Sequence, residues 1–193
     1  MGYLKYVRKL WEQPKKNLGD IWTERLIQWR KEQVTVRIDH PTRPDRARSL
    51  GFRAKPGIIV VRQRVDRGGH VRPHEQGGRR PKHSSRRLDL SISYQIIAEQ
   101  RVAKHYPNCE VLNSYWVGKD GIHYWYEVIL VDKSHPAILA DPQLRWIAIS
   151  HHGGRVFRGL TAAGKRSRGI LTNPGKGSEK NRPSLRAHNR LHK

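Results

Sequence analysis

Positive charge is spread along this chain in a way that limits how much of it can fold unaided. Residues 88 to 152 carry five Lys or Arg against seven Asp or Glu, net −2, while the other 128 residues carry thirty-four against nine, net +25. One near-neutral, apolar block joined to strongly cationic segments describes a small body with arms. Such arms repel one another until a polyanion neutralises them.

The charge resolves into net +4 over residues 1–33, +6 over 37–64, +6 over 67–87 and +10 over 153–193. Arg accounts for twenty-five of the cations and Lys for fourteen. A guanidinium fork matches phosphate oxygens bidentately and stacks on bases, whereas an ammonium acts as a point charge. Nucleic acid is therefore the first partner to consider.

Of the 193 residues only 36% are hydrophobic. The compact part is expected to hold about 100 residues, with a small core completed by contacts to something else. The single cysteine, Cys109, excludes an internal disulfide framework and a multi-cysteine zinc site, and a reducing intracellular setting fits best. The opening MGYLKYVRKL lacks the apolar region of a signal peptide, Tyr6 stands where a myristoylation signal needs Ser or Thr, and no apolar run approaches a membrane span. A soluble protein, or one assembled into something soluble, is expected.

Leu18, Ile21, Trp22, Leu26 and Trp29 fall at three- and four-residue spacing and predict a helix over 16–32, with Pro14 just ahead of it. A short strand is expected over 34–38. The segment PTRPDRARSLGFRAKPG, 41–57, reads as an extended basic connector because of its prolines and glycines. GIIVVRQRV, 57–65, is a strand by its β-branched run. RGGHVRPHEQGGRRPKHSSRR, 67–87, has no aromatic residue and cannot build a core, so it reads as a basic loop between structured elements.

The near-neutral block has regular periodicity. Residues 90–105 are expected to be helical, and VLNSYWV, GKDG and IHYWYEVILVD over 111–132 make a strand, a turn and a strand. Val128 to Val131 is apolar on both faces and should be the buried centre of the sheet. One or two short helices follow over 135–148. From Gly153 the chain is rich in Gly, Arg, Lys and Ser and reads as an extended tail. The expected fold is α/β (α+β): a small, mostly antiparallel sheet flanked by helices in one body, 1–152, with the connector 41–57 and loop 67–87 inside it and an extended basic tail over 153–193.

At the hairpin the sequence acquires a resemblance. VLNSYWVGKDG with YEVILVD, preceded by PTRPDRARSLGFRAKPG and followed by FRGLTAAGKRSRG and GKGSEKNRPSLR, resembles the archaeal and eukaryotic large-subunit ribosomal protein family L-fifteen-e, in an archaeal-like form. The resemblance spans nearly the whole chain in order. It implies a structural constituent of the cytoplasmic large ribosomal subunit that binds large-subunit ribosomal RNA and neighbouring ribosomal proteins, with no catalytic role, no small-molecule substrate and no membrane. No cofactor is implied, magnesium serving only as an RNA counterion.

RNA helices hide their base edges in a deep groove, so contact falls on phosphates, 2′-hydroxyls and unstacked bases. The candidate contacts are Arg43, Arg46, Arg48, Arg53 and Lys55 in the connector, then Arg67, Arg72, Arg79, Arg80, Lys82, Arg86 and Arg87 in the loop. In the tail they are Arg155, Arg158, Lys165, Arg166, Arg168, Lys176, Lys180, Arg182 and Arg186. Tyr115, Trp116, Tyr124, Trp125 and Tyr126 crowd the hairpin, where packing into a small core outweighs base stacking.

Other chemistry is weakly supported. Adjacent His151 and His152, and His70, His74 and His83 in a loop without cysteine, suit solvent or phosphate better than a metal. GILTNPGKG, 169–177, misses the P-loop spacing and has Gly177 where Ser or Thr should bind magnesium. Glu127, Asp132 and Asp141 fall on a buried strand and near helix ends, where pairing and capping are the ordinary uses. The alternative function is an RNA-processing enzyme or a free RNA chaperone using the same arms.

Overall fold

The most apolar run of the chain lies at the centre of a four-stranded sheet. A computed structural model describes residues 2–69, 76–78 and 92–171. Its strands are β1 (Thr35–Ile38), β2 (Ile58–Asp66), β3 (Cys109–Lys119) and β4 (His123–Asp132), all antiparallel, in the order β1-β2-β4-β3. β4 pairs along its whole length with β2, from Ile58 opposite Val131 to Asp66 opposite His123. Both faces of this sheet are covered, so Val128, Ile129, Leu130 and Val131 are all fully buried and the alternation of a half-exposed strand is lost.

One face packs against the N-terminal helices. Trp125, Ile129 and Val131 of β4, Ile58 of β2 and Tyr115 and Val117 of β3 meet Trp11, Trp22, Leu26, Trp29 and Ala47. Helix α1 is Leu4–Leu10, and the helix expected over 16–32 is two, α2 (Pro14–Asn17) and α3 (Gly19–Lys31). Gly19, at φ +50°, turns the chain between them, a conformation open to glycine. Trp22, Leu26 and Trp29 then recur at i, i+4 and i+7 and bury together, each contributing about 1.5–3 kcal/mol, while Ile21 is 52% exposed. Trp29 packs directly over Gly118 of β3, where a Cβ would lie 2.8 Å from the indole.

The connector 41–57 is not wholly extended. Pro44 to Ser49 forms α4, with Pro at the helix start, Asp45 in the first turn and Ala47 buried beneath it. Proline's fixed φ and absent N–H suit a first helical turn, so a proline that reads as a breaker here begins the helix.

The opposite face is covered by α5 (Tyr94–His105), capped by the Ser93 hydroxyl, which accepts the Ile96 N–H at 3.4 Å. Ile96, Ala98, Glu99 and Val102 bury against this side of the sheet. The chain leaves β4 through α6 (Pro136–Leu139) and two 3-10 turns, Arg145–Ala148 and Ser150–His152, and ends its described course in α7 (Ala162–Ser167). Val156 enters the core beside Val61, Val111 and Val128. Thr161 caps α7, accepting the Gly164 N–H at 3.1 Å, and Gly164 sits so close to Gly159 that a Cβ would fall 2.6 Å from its Cα. The boundary expected at 152–153 is thus crossed by packing: residues 153–171 belong to the body, because their small and apolar side chains close one face of the sheet.

Candidate nucleic-acid interface

Helix α4 forms a ridge with a cationic groove on each side. Arg46 and Arg48 are two positions apart on a helix, so they point to different flanks, and both are exposed. A groove of about 590 Å³ between α1 and α4 is lined by Lys5, Arg8, Arg43 and Arg46. On the other flank a groove of about 450 Å³ is lined by Tyr3, His40, Arg48, Phe52 and Arg53. Lys5 and Arg8 were absent from the sequence expectation, because the first 33 residues are only mildly basic; their i, i+3 spacing on a cationic helix was the available signal.

Other connector cations have work inside the fold. Arg43 lies over the Trp11 ring at 4.8 Å, pairs with Asp45 at 3.3 Å and approaches the Trp116 carbonyl at 3.5 Å. Lys55 pairs with Asp141 and reaches the Ala137 carbonyl at 3.5 Å, fastening the connector to α6. The Lys55 hydrogen bond, with the Gln143 N–H, holds the Asp141 carboxyl below the usual range. Arg53 is exposed and donates to the Phe52 carbonyl at 2.9 Å.

Arg67, at the start of the basic loop, donates to the Asp120 carbonyl at 2.6 Å and stacks over Tyr124 at 5.1 Å. It is tied to the tip of the β3–β4 hairpin yet exposed. Asp120 organises that tip: its carboxylate accepts the N–H groups of Ile122 at 2.7 Å and His123 at 2.5 Å and pairs with Arg30 at 2.9 Å. Burial opposes its ionisation, but the His123 N–H, Arg30 and the Ile122 N–H outweigh that and lower its pKa to about 2.

The tail cations divide. Arg155 is only 9% exposed, and its guanidinium donates to the carbonyls of Val111 at 3.1 Å, Leu112 at 3.3 Å and Leu160 at 3.3 Å, over the Trp146 ring at 4.9 Å. Arg168 is 4% exposed and reaches the Gly159 carbonyl at 3.3 Å. Both were expected on an extended tail, and both are instead internal, since a buried carbonyl needs a donor and these arginines supply one. Arg158 is half-buried, donating to His151 at 2.5 Å and Gly153 at 2.9 Å, while Lys165 and Arg166 stand exposed on α7. Arg72, Arg79, Arg80, Lys82, Arg86, Arg87, Lys176, Lys180, Arg182 and Arg186 lie outside the described residues.

Carboxylates inside the body are consumed by the fold. Glu127 on β4 is fully buried, accepts the Tyr115 hydroxyl at 2.6 Å and the Thr42 N–H at 3.1 Å, and burial pushes its pKa up. Glu99 on α5, also fully buried, accepts the Ser114 hydroxyl and, at 2.7 Å, that of Thr161; burial again raises its pKa. Among the described residues no group of three or more His, Cys, Asp or Glu is placed to hold a metal ion. Of the hairpin aromatics, Tyr115, Trp125 and Tyr126 are buried, and Trp116 and Tyr124 are half-exposed.

Comparison with known proteins supplies the context for this cationic surface. A family model described as Ribosomal L15 matches residues 2–188. The chain is 52% identical over 187 residues to the large ribosomal subunit protein eL15 of Methanocella arvoryzae, covering 96% of this chain and 95% of that protein. The proteins of the same name from Picrophilus torridus and Thermoplasma volcanium are each 52% identical over 187 residues, covering 96% of this chain and 95% and 94% of theirs.

Proposed function

This chain belongs to the ribosomal L15 family, and we propose on that footing that it is a structural constituent of the large ribosomal subunit, held on large-subunit ribosomal RNA by its cationic surface. The observation that carries the reading is the 52% identity over 96% of the chain to proteins named as large-subunit components. The geometry supports it in two ways. Exposed cations gather on either flank of α4, and the fully buried carboxylates, Glu99 and Glu127, are taken up by hydroxyl and backbone donors of the fold, which leaves them no part in hydrolysing RNA.

Mechanically, α4 presents Arg46 and Arg48 to phosphates on two sides, with Lys5 and Arg8 completing one groove and Arg53 the other. Such contacts read the shape of an A-form helix and the path of its backbone rather than base identity. The loop 67–87 and the residues after 171 extend the same chemistry by composition, and neighbouring ribosomal proteins share the surface. Magnesium enters as an RNA counterion, and the place of action is the cytoplasmic ribosome. Among the described residues no helix is long and apolar enough to cross a membrane.

Sedimentation of a tagged full chain through a high-salt sucrose gradient tests this. The expected result is co-migration with the large subunit at near one copy each. Recovery in the soluble top fractions, the behaviour of a processing enzyme or a free chaperone, would overturn it.

A further inference from the structure

β3 is an edge strand with two register shifts, and the second, between Trp116 and Gly118, sets Trp116 at the rim of the sheet. Bulges at sheet edges commonly re-aim a side chain in this way. The Trp116 ring lies 6.0 Å from that of Trp22, tilted by 39°, and Trp22 in turn meets Trp11 edge-on at 6.1 Å. Trp22 is almost covered, but Trp116 is half-exposed. A pocket of about 570 Å³ opens over the Trp22 and Trp116 rings, lined also by Pro14, Lys15, Lys16 and Lys119.

Those three lysines are exposed, and no acidic residue lines the pocket. A half-exposed indole face, that of Trp116, ringed by cations is complementary to a ligand that is flat, apolar in its faces and anionic at its edge. A greasy protein side chain would use the indole and leave three ammonium groups unmatched. A nucleotide uses both, because every base has a π-face and carries its phosphates alongside. Bases available for such stacking are the unpaired ones in RNA loops and bulges.

We propose that this pocket takes one unpaired nucleobase of the bound RNA, stacked on the Trp116 indole, with the flanking phosphates on Lys15, Lys16 and Lys119. The proposal rests on the RNA-bound reading above and adds to it a base-stacking site on the body itself. Trp22 supports the stacked ring from below as a positioning residue.

The test uses the full chain and two RNA hairpins that differ at one bulged position, 2-aminopurine in one and an abasic residue in the other. Wild type is expected to bind the 2-aminopurine hairpin about ten-fold more tightly and to quench its fluorescence. Trp116→Ala should abolish both the preference and the quenching, and Trp116→Phe should keep part of each. Lys119→Gln, at a solvent-exposed position that leaves folding intact, should make the log–log salt slope shallower by about 0.7–0.9. Equal affinity of wild type for the two hairpins, or a preference that survives Trp116→Ala, overturns the proposal while salt-dependent binding of both leaves the RNA-bound reading standing. Salt-independent binding of either hairpin removes the reading and the proposal together. A neighbouring protein's peptide crosslinked to Lys119 in assembled subunits would likewise overturn it in favour of a protein occupant.

Discussion

Arg155 donates to the Val111 carbonyl at 3.1 Å, at the point where β3 loses register with β4 between Val111 and Asn113. A bulge leaves ladder carbonyls without their strand partner, and the spread of the guanidinium fork lets one nitrogen serve Val111 and Leu112 while the other reaches Leu160. One of the chain's many cations is thereby withdrawn from the surface.

That placement sets a stability contrast. Arg155→Ala strips three charge-assisted hydrogen bonds from a buried site and is expected to cost about 3 kcal/mol, read as a lower denaturant midpoint. Arg166→Ala, on the exposed side of α7, should change stability by less than about 0.5 kcal/mol and weaken RNA binding instead. Equal midpoints for the two variants would show that the Arg155 hydrogen bonds contribute nothing to the fold.

Truncation locates the end of the folded body. A chain ending at residue 152 loses Arg155, Val156 and the Thr161 hydroxyl that Glu99 accepts, exposing Val61, Val111 and Val128. It should lose its cooperative thermal transition, whereas a chain ending at 171 should keep it and lose RNA affinity. Matching melting curves for the two truncations would place the boundary back at 152.

Why some of this was readable in the residues and some was not follows from where each signal resides. Val128 to Val131 announced a central strand because covering both faces demands four apolar side chains in succession. The Trp22, Leu26 and Trp29 stripe announced its helix for the same reason at a different period. Arg155 and Arg168 carried no such mark: their acceptors are backbone carbonyls, which every residue has, so a buried arginine and a phosphate-facing one look alike in sequence. Helix α4 was hidden by prolines that serve equally as breakers and as first-turn residues, with Ala47 its only buried side chain. Glu99 left a faint trace, an acid three residues from both Ile96 and Val102 on the apolar side of α5.

Glu99 and Glu127 make stability depend on pH with a defined sign. Burial raises both carboxyls above their ordinary value of 4.5, so the folded state holds these protons more tightly than the unfolded state. Their contribution is fully present below 4.5 and is lost as pH rises from there toward the folded values. Asp120 has the opposite sign, lowered from 3.8 to about 2, so its contribution is lost as pH falls across that interval. Burial lowers the His152 pKa from 6.5 and so slopes stability the other way below that value, which makes the variant difference the readout: Glu99→Gln should gain urea midpoint relative to wild type as pH rises above 4.5. A variant profile parallel to wild type would mean that Glu99 is ionised in the fold throughout.

Salt dependence separates cations that meet RNA from cations that hold the protein together. With about ten phosphates neutralised, the log–log slope of binding to large-subunit RNA fragments should be steeper than about −5. Lys5→Gln with Arg8→Gln removes two charges from the α1–α4 groove without touching a buried partner, and should make the slope shallower by about 1.5. Arg155→Lys should leave the slope unchanged however much it destabilises the fold, because that cation already serves three carbonyls. A slope that answers to Arg155 and ignores Lys5 and Arg8 would move the interface away from α4 and onto the α7 face.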